Sequence, residues 1–195
     1  MEKKEVVEFF DTLAPQWDAD MVKDDAIIGR ILDAAGVSRG AEVLDVACGT
    51  GVLFPYYLAR EVNSVTGLDI SGEMVRIARE KYADEPRVAV VQGDAEILKT
   101  SKKYDCVVVY NAFPHFPSPE KLIQNLAGML NPGGVLTVAH GMSREAIDRH
   151  HAGRAGKVSM GLPSPDELSS LFSKYVTVET VVSDDRMYLV SGRRQ

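Results

Sequence analysis

A chain of 195 residues with 45% hydrophobic and 26% charged residues has the length and composition of a single globular domain. Its formal net charge of −6 and the lack of a basic run argue against a nucleic-acid partner. We expect no secretory signal at the charged N-terminus and no membrane partner, because no apolar run reaches the roughly eighteen residues that a span requires. Two cysteines without framework spacing favour a reducing compartment. We therefore expect a cytoplasmic protein, either a monomer or a homodimer.

The N-terminal part shows two helical patterns separated by a break. Residues 2–13 carry apolar side chains at helical spacing, and residues 24–35 form a second amphipathic pattern that ends at Gly36. The stretch "APQWDADM" between them is predicted to interrupt the helices. It holds Trp17, the single tryptophan of the chain.

From residue 41 onward, predicted strands and helices alternate. Apolar, β-branched runs predict the strands, and amphipathic or capped runs predict the helices. The predicted strands are 41–47, 64–70, 87–94, 104–111, 134–141, 176–182 and 186–192. The predicted helices are 51–61, 72–83, 119–130, 143–151 and 164–172.

This alternation predicts an α/β fold in which helices cover both faces of a mainly parallel sheet. The last two strands are joined only by the turn residues "SDD", and so short a hairpin must be antiparallel. We therefore predict a doubly wound, mostly parallel seven-stranded sheet with one antiparallel strand near the C-terminal edge. The pattern contains no internal repeat and no sign of a second domain, so one domain is predicted over 1–195.

In a doubly wound sheet, ligands bind beyond the carboxyl ends of the strands. The first strand ends in "VLDVACGTG", where Gly49 and Gly51 let the backbone approach a ligand closely. The second ends in "GLDI", which places Asp69 where it can accept ribose hydroxyls. A dinucleotide is disfavoured, because Phe54 replaces the third glycine of that fingerprint and Asp45 would repel a pyrophosphate. A ligand with an ammonium or sulfonium group would instead be attracted.

"VLDVACGTG" followed by "GLDIS" resembles the first two motifs of class I S-adenosylmethionine-dependent methyltransferases. Three later segments are similar to further motifs of that family, in the same order: "VQGDAEIL", "YDCVVVYNAF" and "LNPGGVL". One departure is Ala47, where many members have glycine, although the variant is common in the subgroup resembling ubiquinone and menaquinone biosynthesis methyltransferases. The resemblance covers about residues 40–140. It implies that S-adenosylmethionine is the methyl donor and S-adenosylhomocysteine the product.

The resemblance also implies a set of residues that would hold this cofactor. The set is Trp17, Asp45, Ala47, Gly49, Gly51, Asp69, Ile70, Met74, Asp94, Ala95 and Asn111. Asp45 would hold the methionine end, Asp69 the ribose and Asp94 the adenine amino group. Ile70 and Met74 would lie against the adenine, although both are open to a second interpretation as ordinary core residues.

By the same resemblance, the domain divides into four parts. Residues 1–35 are similar to the lid of small-molecule methyltransferases, and residues 40–140 form the cofactor-binding core. Residues 141–175 would be substrate-side helices, and residues 176–192 the C-terminal hairpin. Trp17 in the lid could close over the cofactor and exclude water, or it could merely dock the first helix.

A small-molecule substrate is favoured over nucleic acid. Amino-methylating DNA enzymes carry N/D-P-P-Y/F/W after the fourth strand, where this chain has Asn111, Ala112, Phe113 and Pro114. The sequence does not choose among an oxygen, sulfur, nitrogen or carbon acceptor. The alternative function is that of a non-catalytic regulatory protein that binds S-adenosylmethionine or S-adenosylhomocysteine.

Three interpretations of the histidines stay open. His115 follows the fourth strand and His140 ends the fifth, so either could be a general base at the carboxyl edge of the sheet. Alternatively, His115, His140 and His151 could bind a divalent metal ion and leave one position open for the acceptor. In the third interpretation the histidines are structural or solvated, with His150 and His151 favoured at a helix C-terminus by the helix dipole.

Overall fold

The computed structural model describes the backbone of residues 1–151 and 154–195. Side chains are described for residues 1–149 and 156–195. The strands are β1 (Glu42–Val46), β2 (Ser64–Asp69), β3 (Val88–Gln92), β4 (Tyr104–Tyr110), β5 (Leu130–His140), β6 (Thr177–Ser183) and β7 (Tyr188–Arg193). They form one seven-stranded sheet in the order β3-β2-β1-β4-β5-β7-β6. Strand β7 is antiparallel to both β5 and β6, whereas the other pairings are parallel. The predicted fold is confirmed, including the antiparallel strand next to the C-terminal edge.

Helices cover both faces of this sheet. They are α1 (Lys3–Leu13), α2 (Trp17–Asp20), α3 (Asp25–Ala34), α4 (Phe54–Ala59), α5 (Gly72–Lys81), α6 (Pro119–Gly128), α7 (Arg144–His151) and α8 (Pro165–Phe172). Within the described part of the chain, none of them is long and apolar enough to cross a membrane. The predicted end of the first helix at residue 13 is confirmed. The stretch after it is more regular than predicted, and the break before α3 is confined to residues 21–24, because Ala14–Gln16 forms a 3₁₀ turn that leads directly into α2. Pro15 stands in the first turn of this segment, where a missing backbone N–H costs no hydrogen bond.

Side-chain caps determine where several helices begin. Asp24 accepts a hydrogen bond from the backbone of the first turn of α3, and Ser71 does the same for α5. Ser164 and Glu167 form a reciprocal capping box at α8. Each such cap contributes about 1 kcal/mol to the helix it begins. The cap at Ser71 matters most for function, because it fixes the start of α5 directly after β2.

The central strands β1 and β4 are buried on both faces, as predicted for β4. Alternate side chains of β4 point to opposite sides, as the pleat of a strand requires. Val107 and Val109 pack in a cluster with residues of α6 and α8. Cys106 and Val108 pack in a second cluster with residues of α3 and α4. The two cores hold the strands rigidly, so the loops at their carboxyl ends start from fixed positions.

Phe54 occupies the space that a third glycine would leave open in a dinucleotide-binding turn. Its ring is fully buried in the core cluster between α4 and the sheet. A Cβ atom at Gly67 would lie 2.5 Å from the ring, and one at Gly51 would lie 2.7 Å from it. Both glycines therefore make room for Phe54, which supports the argument against a dinucleotide fingerprint.

Candidate active site

A cavity of about 660 Å³ opens at the carboxyl edge of the parallel strands. Most of the residues predicted for the site line it together: Trp17, Asp45, Ala47, Gly49, Asp69, Ile70, Met74, Asp94, Ala95, Asn111, His115 and His140. Gly51 is not among the described residues of the wall, and its packing against Phe54 explains why glycine is required there. The fold thus brings residues from the ends of five strands, β1 to β5, into one site.

The turn after β1 holds three residues in left-handed backbone conformation. Their φ angles are 55° at Ala47, 54° at Gly49 and 84° at Gly51. Glycine adopts such angles freely, whereas an L-residue is disfavoured there by about 1–2 kcal/mol. A Cβ atom at Gly49 would lie 3.4 Å from the Trp17 indole nitrogen and 3.8 Å from the Met74 sulfur. The backbone of the turn is therefore strained at Ala47, and the side chains of Trp17 and Met74 lie close to Gly49.

Asp69, at the end of β2, ties the glycine turn to helix α5. Its Oδ2 accepts a hydrogen bond from the Gly49 backbone N–H at 2.8 Å, and its Oδ1 accepts one from the Ser71 N–H at 2.9 Å. Burial raises the pKa of Asp69, and the hydrogen bonds from these two amides oppose the rise. A carboxylate oxygen can accept more than one hydrogen bond, so Asp69 can hold the turn and still accept hydroxyl groups of a ligand.

Asp45 is the most deeply buried acid of the site, with only 2% of its surface exposed. Burial raises its pKa well above the usual value, and the charge of Asp69 raises it further, while the Tyr57 hydroxyl opposes the shift. Ionising a carboxyl group in such a place costs free energy unless a positive charge compensates it. A buried acid with a raised pKa in a cavity is typical of a functional site.

The charges of the wall favour a cationic ligand. Among its described residues, the acids are Asp20, Asp45, Asp69 and Asp94, and the single lysine is Lys3. Lys3 pairs with Asp94 and Glu96, so Asp45 and Asp69 have no lysine or arginine partner among the described wall residues. The cavity would attract an ammonium or sulfonium group and repel a pyrophosphate.

Residues 3–22, which we call the strap, close the cavity on the side away from the sheet. The strap residues in the wall are Lys3, Val6, Phe9, Phe10, Leu13, Trp17, Asp20, Met21 and Val22. The predicted lid extended to residue 35, but Ile28 and Leu32 of α3 are buried in the core against the sheet. The described wall residues of this segment end at Val22, so the strap as defined excludes α3. The lid function of residues 1–35 stays a prediction.

One end of the strap is held by an ion-pair cluster. Lys3 pairs with Asp94 and with Glu96, the latter at 2.6 Å. The Glu96 side chain is only 1% exposed, and its Oε1 also accepts the Ser118 backbone N–H at 2.7 Å. Burial of the ammonium group lowers the pKa of Lys3, but the hydrogen bonds that this group donates to both acids outweigh that effect and raise the pKa above its usual value. This cluster joins the strap to the loop after β3 and to the start of α6.

The rest of the strap is anchored at two further points. Asp11 accepts a hydrogen bond from the Ser71 hydroxyl, the same residue that caps α5. Asp18 accepts one from the Thr50 hydroxyl at 2.6 Å and pairs with Lys81 at 2.6 Å. Thr50 lies between the two glycines of the turn after β1. The strap is thus hydrogen-bonded to the turn after β1 and to the start of α5, the two elements that would hold a cofactor.

The other half of the cavity, which we call the apolar compartment, has few polar groups. Its wall consists of Val6, Phe9, Phe10, Leu13, Phe116, Pro117, Met142 and Ile147. These residues come from the strap, from the loop after β4 and from the segment after β5. Because Ile147 belongs to α7, the helix after the fifth strand does reach the cavity. The compartment suits a ligand with a largely apolar body.

The two described histidine side chains of the wall lie in different environments. His115 ends a 3₁₀ turn after β4, and its Nδ1 lies 2.6 Å from the Val158 carbonyl oxygen. His140 is the last residue of β5, is 2% exposed, and lies with its ring centroid 6.2 Å from that of Tyr188. The side chain of His151 lies outside the described residues.

No group of three or more His, Cys, Asp or Glu side chains arranged to hold a metal ion occurs within the described part of the chain. The metal interpretation, which includes His151, stays a prediction. Neither cysteine is paired in a disulfide. Burial raises the pKa of Cys48 well above its usual value and that of Cys106 to about 12, so neither thiol is activated as a nucleophile.

Sequence reasoning missed two residues that shape the site, Glu96 and Val158. Glu96 lies inside the quoted segment "VQGDAEIL", where a second acid two positions after Asp94 was an available signal. Val158 contributes only its backbone carbonyl, so no side-chain pattern could have identified it.

Comparison with known proteins identifies the domain. Residues 43–134 match the family described as Methyltransferase domain. The chain is 29% identical over 144 residues to the ubiquinone biosynthesis O-methyltransferase of Coxiella burnetii. It is 35% identical over 152 residues to the ubiquinone/menaquinone biosynthesis C-methyltransferase UbiE of Yersinia enterocolitica. Both alignments cover 70% of this chain, and they span 61% and 60% of the two relatives.

A solved structure shows the same fold. Magnesium protoporphyrin IX methyltransferase (ChlM) from Synechocystis PCC 6803, with bound S-adenosylhomocysteine, aligns with a TM-score of 0.74 and 18% identity over 100% of both chains. The seven-stranded sheet, the ordered motifs and the matched family agree with one another. Residues 43–134 therefore match a methyltransferase domain, and the sheet has the methyltransferase fold that the sequence motifs predict.

Proposed function

We propose that this chain transfers a methyl group from S-adenosylmethionine to a small-molecule acceptor. The observation that carries the proposal is that one cavity combines buried acids at the strand ends, which we call the acidic half, with the residues of the apolar compartment and with two histidines, His115 and His140. The names of the relatives, ubiquinone and menaquinone biosynthesis methyltransferases, support the same reaction. When bound, S-adenosylmethionine supplies a methyl group already activated by the sulfonium charge, so the protein's task is positioning and exclusion of water.

The acidic half has the chemistry to hold the methionine end of the donor. Asp45 is a buried carboxyl group without a compensating lysine or arginine in the described wall, and the ammonium group would provide that charge. Gly49 allows close approach of the backbone next to it. Asn111 is also in left-handed conformation, with φ 53°, and its Oδ1 accepts the Gly141 backbone N–H at 3.0 Å. We assign Asp45, Ala47, Gly49 and Asn111 to the methionine end.

The loops after β2 and β3 have the chemistry to hold the nucleoside. Asp69 would accept the ribose hydroxyls while it keeps its bonds to the backbone. Ile70 and Met74 line the cavity beside it and offer apolar surface to the adenine. Asp94 would accept a hydrogen bond from the adenine amino group, and Ala95 would lie at the edge of the adenine ring. Because Asp94 also binds Lys3, the strap and the nucleoside share this carboxylate.

The strap would cover the bound donor. Trp17 lies directly over Gly49, so it covers the part of the turn that we assign to the methionine end. We propose that the strap opens to admit the donor and closes over it during turnover. Closure would remove water from the site and strengthen the interactions of Asp45 and Asp69 with the positive ligand.

The apolar compartment would receive the acceptor. Its wall supports an acceptor with an apolar body, and either His115 or His140 could remove a proton from it. One relative is named as an O-methyltransferase and the other as a C-methyltransferase, so the comparisons leave the acceptor atom open. A cytoplasmic location and the oligomeric state stay predictions.

Methyl transfer can be tested with donor that carries a tritiated methyl group. The purified chain, without a histidine tag, is incubated with phenols, thiols, amines and hydroxylated quinones, and the products are separated. We expect label in at least one product, an equal amount of S-adenosylhomocysteine, and no loss of rate with a chelator. Micromolar binding of the donor without transfer to any acceptor would instead support the non-catalytic alternative.

A further inference from the structure

His115 is held by two segments that are distant from it in sequence. Its Nδ1 is bonded to the carbonyl of Val158, which ends the 3₁₀ turn Arg154–Val158. Its ring meets the ring of Phe10 edge to face, with centroids 5.0 Å apart and planes at 82°. These contacts come from the strap on one side and from the segment after α7 on the other.

The contact with Val158 determines which nitrogen of His115 carries the proton. A carbonyl oxygen can only accept a hydrogen bond, so at 2.6 Å the Nδ1 must be the donor. In the neutral imidazole the basic lone pair is then on Nε2. A fixed tautomer of this kind is what orients a histidine that acts as a general base.

The same two segments also pack against each other. Val6 and Val158 are buried together in a small cluster that includes Phe9 and Phe10 as partly buried members. The strap therefore supplies one partner of His115, the ring of Phe10, and it packs against Val158, whose carbonyl is the other partner. Closing the strap would complete the surroundings of the imidazole. His140 differs, because it belongs to the sheet itself and its described ring contact is with Tyr188 of the neighbouring strand.

On the basis of the proposed function, we infer that His115 is the general base for a protic acceptor, a phenol or similar hydroxyl that is not ionised at neutral pH. The O–H bond of the acceptor breaks and its proton passes to the lone pair of His115 Nε2. The electron pair left on oxygen forms the new bond to the methyl carbon, and the pair of the broken carbon–sulfur bond stays on the donor's sulfur. Val158 and Phe10 are positioning residues, since they act through His115.

The acidity of the acceptor provides an internal control. A phenol that is already ionised at the assay pH needs no base, whereas a weakly acidic phenol does. Replacing His115→Gln keeps a side-chain N–H that can donate to Val158 but removes the basic nitrogen. We expect turnover of weakly acidic phenols to fall by about 100-fold or more, and turnover of ionised phenols to fall far less.

Two further variants separate base chemistry from structure. In His140→Gln, any loss of rate should be the same for weakly acidic phenols and for ionised phenols. Phe10→Leu should lower kcat moderately and leave the shape of the pH profile unchanged, because the base is misplaced but present. Equal losses for all phenols in His115→Gln, or bound metal together with a rate loss on chelation, would overturn the base role.

A second readout needs neither donor nor acceptor. Nitrogen-15 NMR of the imidazole side chains, assigned through the loss of one signal set in His115→Gln, distinguishes the two tautomers. We expect neutral His115 to carry its proton on Nδ1. A proton on Nε2 in the neutral form would overturn the inference even if methyl transfer is confirmed. Absence of donor binding in calorimetry, with the Nδ1–H tautomer present, would instead count against the proposed function.

Discussion

The two halves of the cavity are built in different ways. The acidic half comes from the sheet, since Asp45 and Asp69 are strand residues held between two cores. The apolar compartment comes from three segments outside the sheet: the strap, the loop after β4 and the segment with α7. A rigid half suits a donor that must always bind in the same position. A half made of added segments can be altered for a new acceptor without disturbing the fold.

The largest expected effect is in the acidic half. Asp45→Asn keeps the shape of the side chain and removes the charge that would pair with the donor's ammonium group. We expect S-adenosylhomocysteine to bind more weakly by about 2–4 kcal/mol, which is roughly 30- to 700-fold. The ligand-free variant should melt at a higher temperature at neutral pH, because no buried carboxyl has to ionise. Isothermal calorimetry and thermal denaturation measure the two quantities.

Asp20→Asn is the matched control for that variant. Asp20 lines the same cavity but is exposed on the strap. Its replacement should change affinity less than about threefold, as expected for a solvated charge. Equal losses in the two variants would mean that the buried position of Asp45 has no special role, and the distinction between the two halves would be lost.

The pH dependence of the acidic half should have opposite signs for stability and for binding. Burial raises the folded-state pKa of Asp45 above the value of about 3.9 in an unfolded chain. Between these two values the folded state binds more protons, so the free energy of unfolding of the ligand-free protein falls as pH rises. Affinity for the cationic ligand should rise over the same range, by up to about tenfold per pH unit. Thermal denaturation and calorimetry from about pH 4 to pH 8 test this, and slopes of the same sign would contradict it.

A smaller effect is expected in the strap. Lys3→Met leaves Glu96, whose side chain is 1% exposed, without its described lysine partner. Because Lys3 itself is partly solvated, the closed strap should lose about 1 kcal/mol, or roughly fivefold in hydrogen-exchange protection of residues 3–22. Lys4→Met is the control, since Lys4 is 86% exposed and its ion-pair partner among the described residues is Glu8 on its own helix. Faster exchange in the sheet as well as in the strap would show that the cluster stabilises the whole domain instead.

The smallest expected effect is a gain in stability. Ala47→Gly relieves a left-handed residue at φ 55° but adds flexibility to the unfolded chain. The strain relieved is about 1–2 kcal/mol and the entropy cost is about 0.5–1 kcal/mol, so the variant should be stabilised by about 0.7 kcal/mol, within a range of about 0 to 1.5 kcal/mol. Glu61→Gly, at the same φ but not among the described residues of the wall, is the control for backbone strain. It also removes an ion pair with Arg39, but both side chains are exposed and such pairs contribute little. If Ala47→Gly alters the affinity for the donor and Glu61→Gly does not, the side chain of Ala47 contacts the bound donor.

The two halves also differ in how far the sequence predicts them. The strand ends of the acidic half follow local motifs, so spacing and resemblance could identify Asp45, Asp69 and Asp94, which the structure places in the cavity wall. Their roles in binding the cofactor stay predictions. The contacts of the other half join distant positions, such as Lys3 with Glu96 and His115 with Val158. Such pairs are set by tertiary packing, which no local periodicity encodes. For the same reason the end of the strap before α3 was not predicted, since burial of α3 depends on the sheet beneath it.

The central claim is that the acidic half binds S-adenosylmethionine and its product through the carboxylates at the strand ends. Calorimetric titration of S-adenosylhomocysteine into the wild-type chain and Asp45→Asn tests it most directly, with NAD as the competing nucleotide. We predict one site with a Kd of about micromolar magnitude in the wild type, a large loss in Asp45→Asn, and no binding of NAD. Absence of binding in the wild type, or equal affinity in the variant, would contradict the account.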